Sequence, residues 1–326
     1  MKQAWILLLL GGVGCWYIWR YYEVKGVEGL FSASGVGETQ SSGQQVEAPP
    51  MPSGRTTLVI ASFNANPLDA RKLGQPARLA ALVQLVRRFD LVALQNIQLE
   101  TSTPLLQLRD QLNAAGGRYY ELALGPESFT PQGRPISAFL YDRAMVEIDL
   151  AKVYWVEDAQ GRLSDRPLAA MFRARGPHPS QAFTFTLVSL YIRPDRTQEE
   201  LPVIEQVYRS IRKNFPGEDD LFLVGTFHAD RARLNQWMQT LQLTWAVPTS
   251  TSPSGEGIFS DNILFPLRAA VEYTGRSGMV DLVRELGLSV QEAMDLSDHC
   301  PIWAEFSIYE GGEPGGLVVR PVHRPR

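Results

Sequence analysis

Cysteine is nearly absent. The 326 residues contain two, Cys15 and Cys300. One lies in an apolar N-terminal segment and the other far downstream, which argues against a disulfide framework and leaves the redox compartment unreadable. A marked excess of either charge is also lacking. Lys and Arg number 31, Asp and Glu 35, and the formal net charge is −4. That balance argues against a dedicated nucleic-acid binder held by a strongly basic surface, while leaving room for a local basic cleft. Charged residues make up 20% and aromatic residues 10%, which suits a folded globular chain better than a disordered one. The length allows one large domain or two modest ones.

Long uncharged runs are scarce too, and the N-terminus holds the exception. Residues 4–19 read AWILLLLGGVGCWYIW. This is slightly short of the roughly 20 residues that span a bilayer. Trp16, Tyr17, Trp19, Tyr21 and Tyr22 read as an interfacial aromatic belt. No small-x-small cleavage site follows the apolar core, so an uncleaved anchor over residues 1–25 is expected. A cleaved signal peptide is the alternative, as is a lipoprotein signal ending at Cys15, although Gly12 stands where a leucine-like residue is usual. The expected location is single-pass in a membrane, with the bulk of the chain outside the cytoplasm. Lys2, Arg20 and Lys25 flank both ends and orient the segment only weakly.

Residues 26–55 are rich in Gly, Ser, Gln and Pro and read as a flexible linker. A folded domain is expected over 56–308 and a flexible Gly/Pro-rich tail over 309–326. Within the domain, strand and helix patterns alternate. Strands are expected at 56–64, 90–97, 119–124, 137–142, 146–156, 168–174, 183–192, 220–227, 257–265, 268–273 and 301–306. Helices are expected at 77–89, 102–117, 199–215 and 233–242. Many strands with interspersed helices point to a layered α/β domain, two sheets face to face with helices outside.

The segments SFN (62–64), DLVALQNI (90–97), AFLYD (138–142), LVSLYIRP (187–194), LVGTFHAD (223–230), SDNILF (260–265) and LSDHCPIW (296–303) come in a telling order. Together they resemble the endonuclease/exonuclease/phosphatase superfamily, most closely its deoxyribonuclease I-like branch, over most of residues 56–308. The resemblance implies a four-layered α/β sandwich with its site at one end of the two sheets. It also implies cleavage of phosphate esters with Mg²⁺ or a similar hard cation. Such chemistry needs a cation and fixed donors against the growing negative charge, and a base to take a proton from water.

Carried over residue by residue, the resemblance keeps part of that site. Asn64 matches the asparagine that helps orient metal and phosphate. Asp261 matches the aspartate behind the second histidine, and Asp298 and His299 match the terminal Asp-His pair. An Asp261–His299 dyad is therefore expected, as a working base or as a retained structural hydrogen bond. Arg166 is noted as a phosphate contact. Other positions depart from the pattern. Asn96 stands where the family has its principal metal-binding glutamate, and an amide brings no charge to a divalent ion. Tyr191 stands for the other catalytic histidine, and a phenol with an ordinary pKa near 10 is a poor proton shuttle at neutral pH. Pro135 or its neighbours occupy the place of the carboxylate that steadies that histidine. Thr226 replaces an acid and His228 an amide, so Thr226 reads as a position of little consequence.

Two readings follow. One is a membrane-tethered binding or scaffold module on a degenerate site, with no cofactor expected and a phosphate-containing or nucleic-acid ligand as partner. The other is an active phosphoesterase using a divalent metal, Mg²⁺, or Mn²⁺ or Zn²⁺ held through His228 and Asp298.

Overall fold

The computed structural model describes residues 49–314, apart from 126–135, 159, 215–218, 249, 256–257 and 260. The expected anchor, the first part of the expected linker, Pro135 and the end of the tail lie outside the described residues. No helix among the described residues is long and apolar enough to cross a membrane.

The chain forms β1 (Thr57–Asp69), β2 (Leu91–Gln98), β3 (Tyr120–Ala123), β4 (Ile136–Asp142), β5 (Val146–Trp155), β6 (Leu168–Ala174) and β7 (Thr184–Tyr191). It continues with β8 (Leu221–Thr226), β9 (Leu243–Trp245), β10 (Ser250–Thr251), β11 (Ile258–Phe259), β12 (Asp261–Pro266), β13 (Tyr273–Met279) and β14 (Ile302–Ser307). Two six-stranded sheets result, in the orders β13-β14-β1-β2-β4-β3 and β5-β6-β7-β8-β12-β9. β1 and β2 run parallel, as do β7 and β8.

The sheets face each other across an aromatic core. Phe172 and Phe222 of one sheet meet Phe139 and Phe306 of the other, and Phe183 and Phe185 stack beside them. In β8 the alternation is explicit. Phe222 and Val224 enter the inter-sheet core, while Leu221 and Leu223 join a second cluster beneath the helices Thr197–Asn214 and Arg231–Leu241. A strand buried on both faces must be apolar throughout, as LFLV is. The first sheet is covered outside by Pro76–Val86 and Thr103–Ala114, which bury Leu82, Leu85, Leu105, Leu108 and Leu112. The layers are helix, sheet, sheet, helix, as expected.

Several expected boundaries are corrected. Where one strand was expected over 257–265, the described residues hold two short ones, β11 (Ile258–Phe259) and β12 (Asp261–Pro266). Residues 268–273 form mostly a 3₁₀ turn, Leu267–Val271, before β13. The short helices Ala70–Leu73, Leu282–Leu286 and Val290–Leu296 and the strand β9 had no sustained periodicity to announce them. The last helix nonetheless carries a sequence signal, the Ser289/Glu292 capping box. The domain also extends past both expected edges. Arg175 donates to the Pro49 carbonyl at 2.7 Å, and the Glu310 backbone N–H donates to Gln181 at 2.9 Å. Residues 49–55 and 309–312 are thus held to the sandwich.

Candidate functional site

The strand ends place Tyr191, Thr226 and Asp261 together. Tyr191 ends β7 and pairs in register with Thr226 at the end of β8, and Asp261 opens β12 opposite the same Thr226. In the facing sheet, β1 and β2 both break register beside the site, β1 between Asn64 and Leu68 and β2 between Leu94 and Ile97. Asn96 takes φ +58° at this irregularity, a left-handed conformation that asparagine tolerates better than most residues. The 297–299 segment is tied to β1 by the Ser297 hydroxyl, which donates to the Asn64 carbonyl at 2.7 Å. Lys72, buried, donates from Nζ to the Ala65 carbonyl at 2.7 Å and the Leu296 carbonyl at 2.6 Å. Burial pulls its pKa down to about 8.

The dyad is formed. His299 Nδ1 lies 2.7 Å from Asp261 Oδ2, with both residues buried. A carboxylate facing Nδ1 assigns the proton to that nitrogen. Burial alone would lower the His299 pKa, but the hydrogen bond and charge of Asp261 outweigh it and the pKa is raised. The other oxygen of Asp261 accepts from the Thr226 hydroxyl, which in turn accepts from Asn64 Nδ2 at 3.1 Å. Thr226 is fully buried and bridges two site residues. The expectation that it is of little consequence is corrected, because a buried hydroxyl between a carboxylate and an amide is costly to remove.

On the other side lies a chain of amides. Gln98 Nε2 donates to Asn96 Oδ1 at 3.1 Å, and Asn96 Nδ2 donates to Asn66 Oδ1 at 2.8 Å. Asn66 Nδ2 then donates to Asp298 Oδ1 at 2.7 Å. The Asn66 backbone N–H donates to Asn64 Oδ1 at 3.2 Å. Asn66 was not anticipated from sequence, where nothing distinguished it from an ordinary loop amide. A hard divalent cation takes anionic oxygens. Here both polar ends of Asn96 are engaged, Asp261 is committed to His299 and Thr226, and Asp298 already accepts from an amide. This donor set does not fit such an ion. Among the described residues, the only acidic, His or Cys trio whose ligand atoms lie within 4.8 Å of one another is Asp219, Asp220 and Glu310. Asp219 and Asp220 precede β8, at the end of the strand opposite Thr226.

His228 takes φ +45° just past β8. Its ring meets Tyr191 edge-on at 5.6 Å and His299 edge-on at 5.9 Å. Its Nε2 is buried with no hydrogen-bond partner among the described residues. Burial first, and then the charge of His299, lower the His228 pKa. Burial raises the Tyr191 pKa, with Asp165 next in effect. Arg166 lies over the Trp155 ring at 5.1 Å and 3.5 Å from Glu157.

No protein-family model matches the chain. It is similar to human deoxyribonuclease-1-like 2, 22% identical over 277 residues, covering 76% of this chain and 92% of that protein. Bovine deoxyribonuclease-1 is 23% identical over 265 residues, covering 76% of this chain and 91% of the relative. Among solved structures, an endonuclease/exonuclease/phosphatase from Bacteroides vulgatus superposes with TM-score 0.53 at 16% identity, over 78% of this chain and 100% of that one. The human Nocturnin catalytic domain with bound sulfate superposes with TM-score 0.50 at 14% identity, over 78% and 94%.

Proposed function

The chain belongs to the endonuclease/exonuclease/phosphatase superfamily, in its deoxyribonuclease I-like branch, and from that membership we propose that it is a catalytically impaired relative. It serves as a binding or scaffold module tethered to a membrane by its N-terminal segment. The observation that carries this reading is the neutral chain Gln98–Asn96–Asn66 ending on Asp298, where the family's chemistry needs anionic cation ligands. Without a cation, the charge that develops on a phosphate in the transition state has no offset. Loss of even one such contact commonly costs about 10²–10³ in rate. Tyr191 adds a second deficit, since its raised pKa takes the phenol further from neutral-pH proton transfer.

The ligand of the module on this reading is phosphate-containing or nucleic-acid-like, met by Asn64, His299 and Arg166. A second reading, an active esterase with altered metal use, is favoured by the intact Asp261–His299 pair and by His228 5.9 Å from the His299 ring. One assay separates the two. Full-length protein is incubated with plasmid DNA and with a chromogenic phosphodiester, across Mg²⁺, Mn²⁺ and Zn²⁺. The expected result is no turnover above a His299→Ala control. Robust turnover with Mg²⁺ overturns the impaired reading. Turnover confined to Mn²⁺ or Zn²⁺ and lost in His228→Ala establishes the second.

A further inference from the structure

Asp298 is a partly exposed carboxylate at the mouth of the site, its side chain 37% accessible. The active alternative holds a divalent ion through this group and His228. In this chain Asn66 Nδ2 stands 2.7 Å from Asp298 Oδ1, and the same side chain accepts from Asn96 Nδ2 at 2.8 Å. Asn66 therefore spans the gap between the position of the missing glutamate and the terminal acid. Its backbone is held as well, by donation to Asn64 Oδ1. A primary amide is suited to this place: the NH₂ end presents partial positive charge to a carboxylate, and the carbonyl end accepts from a second amide.

We propose that Asn66 closes the cation position, its amide supplying to Asp298, from within the chain, the positive pole that a divalent ion would otherwise present. The inference rests on the impaired reading and deepens it. The site is filled as well as depleted of charge, so restoring the glutamate alone does not reopen it. Without Asn66, Asp298 Oδ1 and Asn96 Nδ2 would both lose these partners. The bridge instead satisfies both, so the position is stable without metal.

The test uses the full-length chain and reads divalent-ion binding by calorimetry and by the shift of the thermal unfolding midpoint, with no reliance on turnover. Wild type is expected to show no shift with millimolar Mg²⁺ or Mn²⁺. Asn96→Glu is expected to bind weakly, because Asn66 still occupies the gap. Asn96→Glu combined with Asn66→Ala is expected to bind at least about tenfold more tightly than Asn96→Glu alone. Equal affinities in these two variants overturn the proposal. Asn66→Asp provides a second arm should the double variant fail to fold. It sets a carboxylate against Asp298, and two like charges at this separation need a cation or a proton. Its unfolding midpoint is expected to fall in chelator and recover with Mg²⁺ or Mn²⁺, which wild type does not do. Absence of that recovery also overturns the proposal. Failure of the functional reading is seen separately, as hydrolysis by wild type, which none of these variants enters.

Discussion

At Thr226 a single hydroxyl holds two site residues in place, and its removal has a definite expected cost. Thr226→Ala leaves Asp261 Oδ1 and Asn64 Nδ2 without their shared partner in a buried site. A loss of about 1–3 kcal/mol is expected, with Thr226→Ser recovering most of it. Equal denaturation midpoints for wild type and the alanine variant would show the bridge to be energetically idle. The two imidazoles give a second expectation. His299 is raised from its ordinary 6.5, so its stabilising contribution is present in full below pH 6.5 and lost as pH rises through its folded-state value. His228 is lowered from 6.5, so it favours the neutral form, and its contribution is present above pH 6.5 and lost as pH falls through the folded-state value. An NMR titration should resolve one imidazole above 6.5 and one below. Asp261→Asn should move the higher one down, since burial then acts on His299 without the carboxylate. An unmoved titration in that variant would contradict the dyad.

β8 shows at the level of a whole element how tightly sequence and packing are coupled. Val224 is fully buried in the inter-sheet core, and Val224→Asp would place an unpaired charge there. The neighbouring Gly225 is constrained differently. It takes φ +141°, and a Cβ there would come within 1.9 Å of the Leu190 carbonyl oxygen on the adjacent parallel strand. Gly225→Ala should therefore destabilise by more than about 2 kcal/mol, because strand backbone must shift to admit a single methyl. Val224→Asp should abolish the cooperative thermal transition. Wild-type-like melting of either variant would place β8 outside the core. This element was legible from its apolar run, and so was the helix Thr197–Asn214 from its stripe of Ile204, Val207, Tyr208 and Ile211. The 3₁₀ turn Leu267–Val271 was misread as strand because RAAVEY is too short for either period to dominate.

For the molecule as a whole, the apolar run of residues 4–19 motivates the expectation that the full-length protein stays in the membrane fraction under carbonate extraction. Recovery of a soluble form whose N-terminus lies beyond residue 20 would instead identify a cleaved signal. Apolar strands such as LVIASF, LVALQNI and LFLVGTF carry the near-continuous apolar pattern of strands buried on both faces.

The sequence by itself determined the layered α/β class, the order of the main strands and helices, and the residue types at each site position. Periodicity and burial act locally, so a strand announces itself in its own residues. It also determined that Asn96, Tyr191 and Thr226 bring an amide, a phenol and a hydroxyl to their positions, with no carboxylate or imidazole among them. The meeting of Asp261 with His299, 38 residues on, was expected through the resemblance, whereas only the tertiary structure decided that Thr226 bridges Asp261 to Asn64 across 162 residues. It alone decided that Asn66 reaches Asp298 across 232. Hydrogen bonds over such separations depend on which strand ends the two sheets bring to one edge, and no local pattern in the chain encodes that distance.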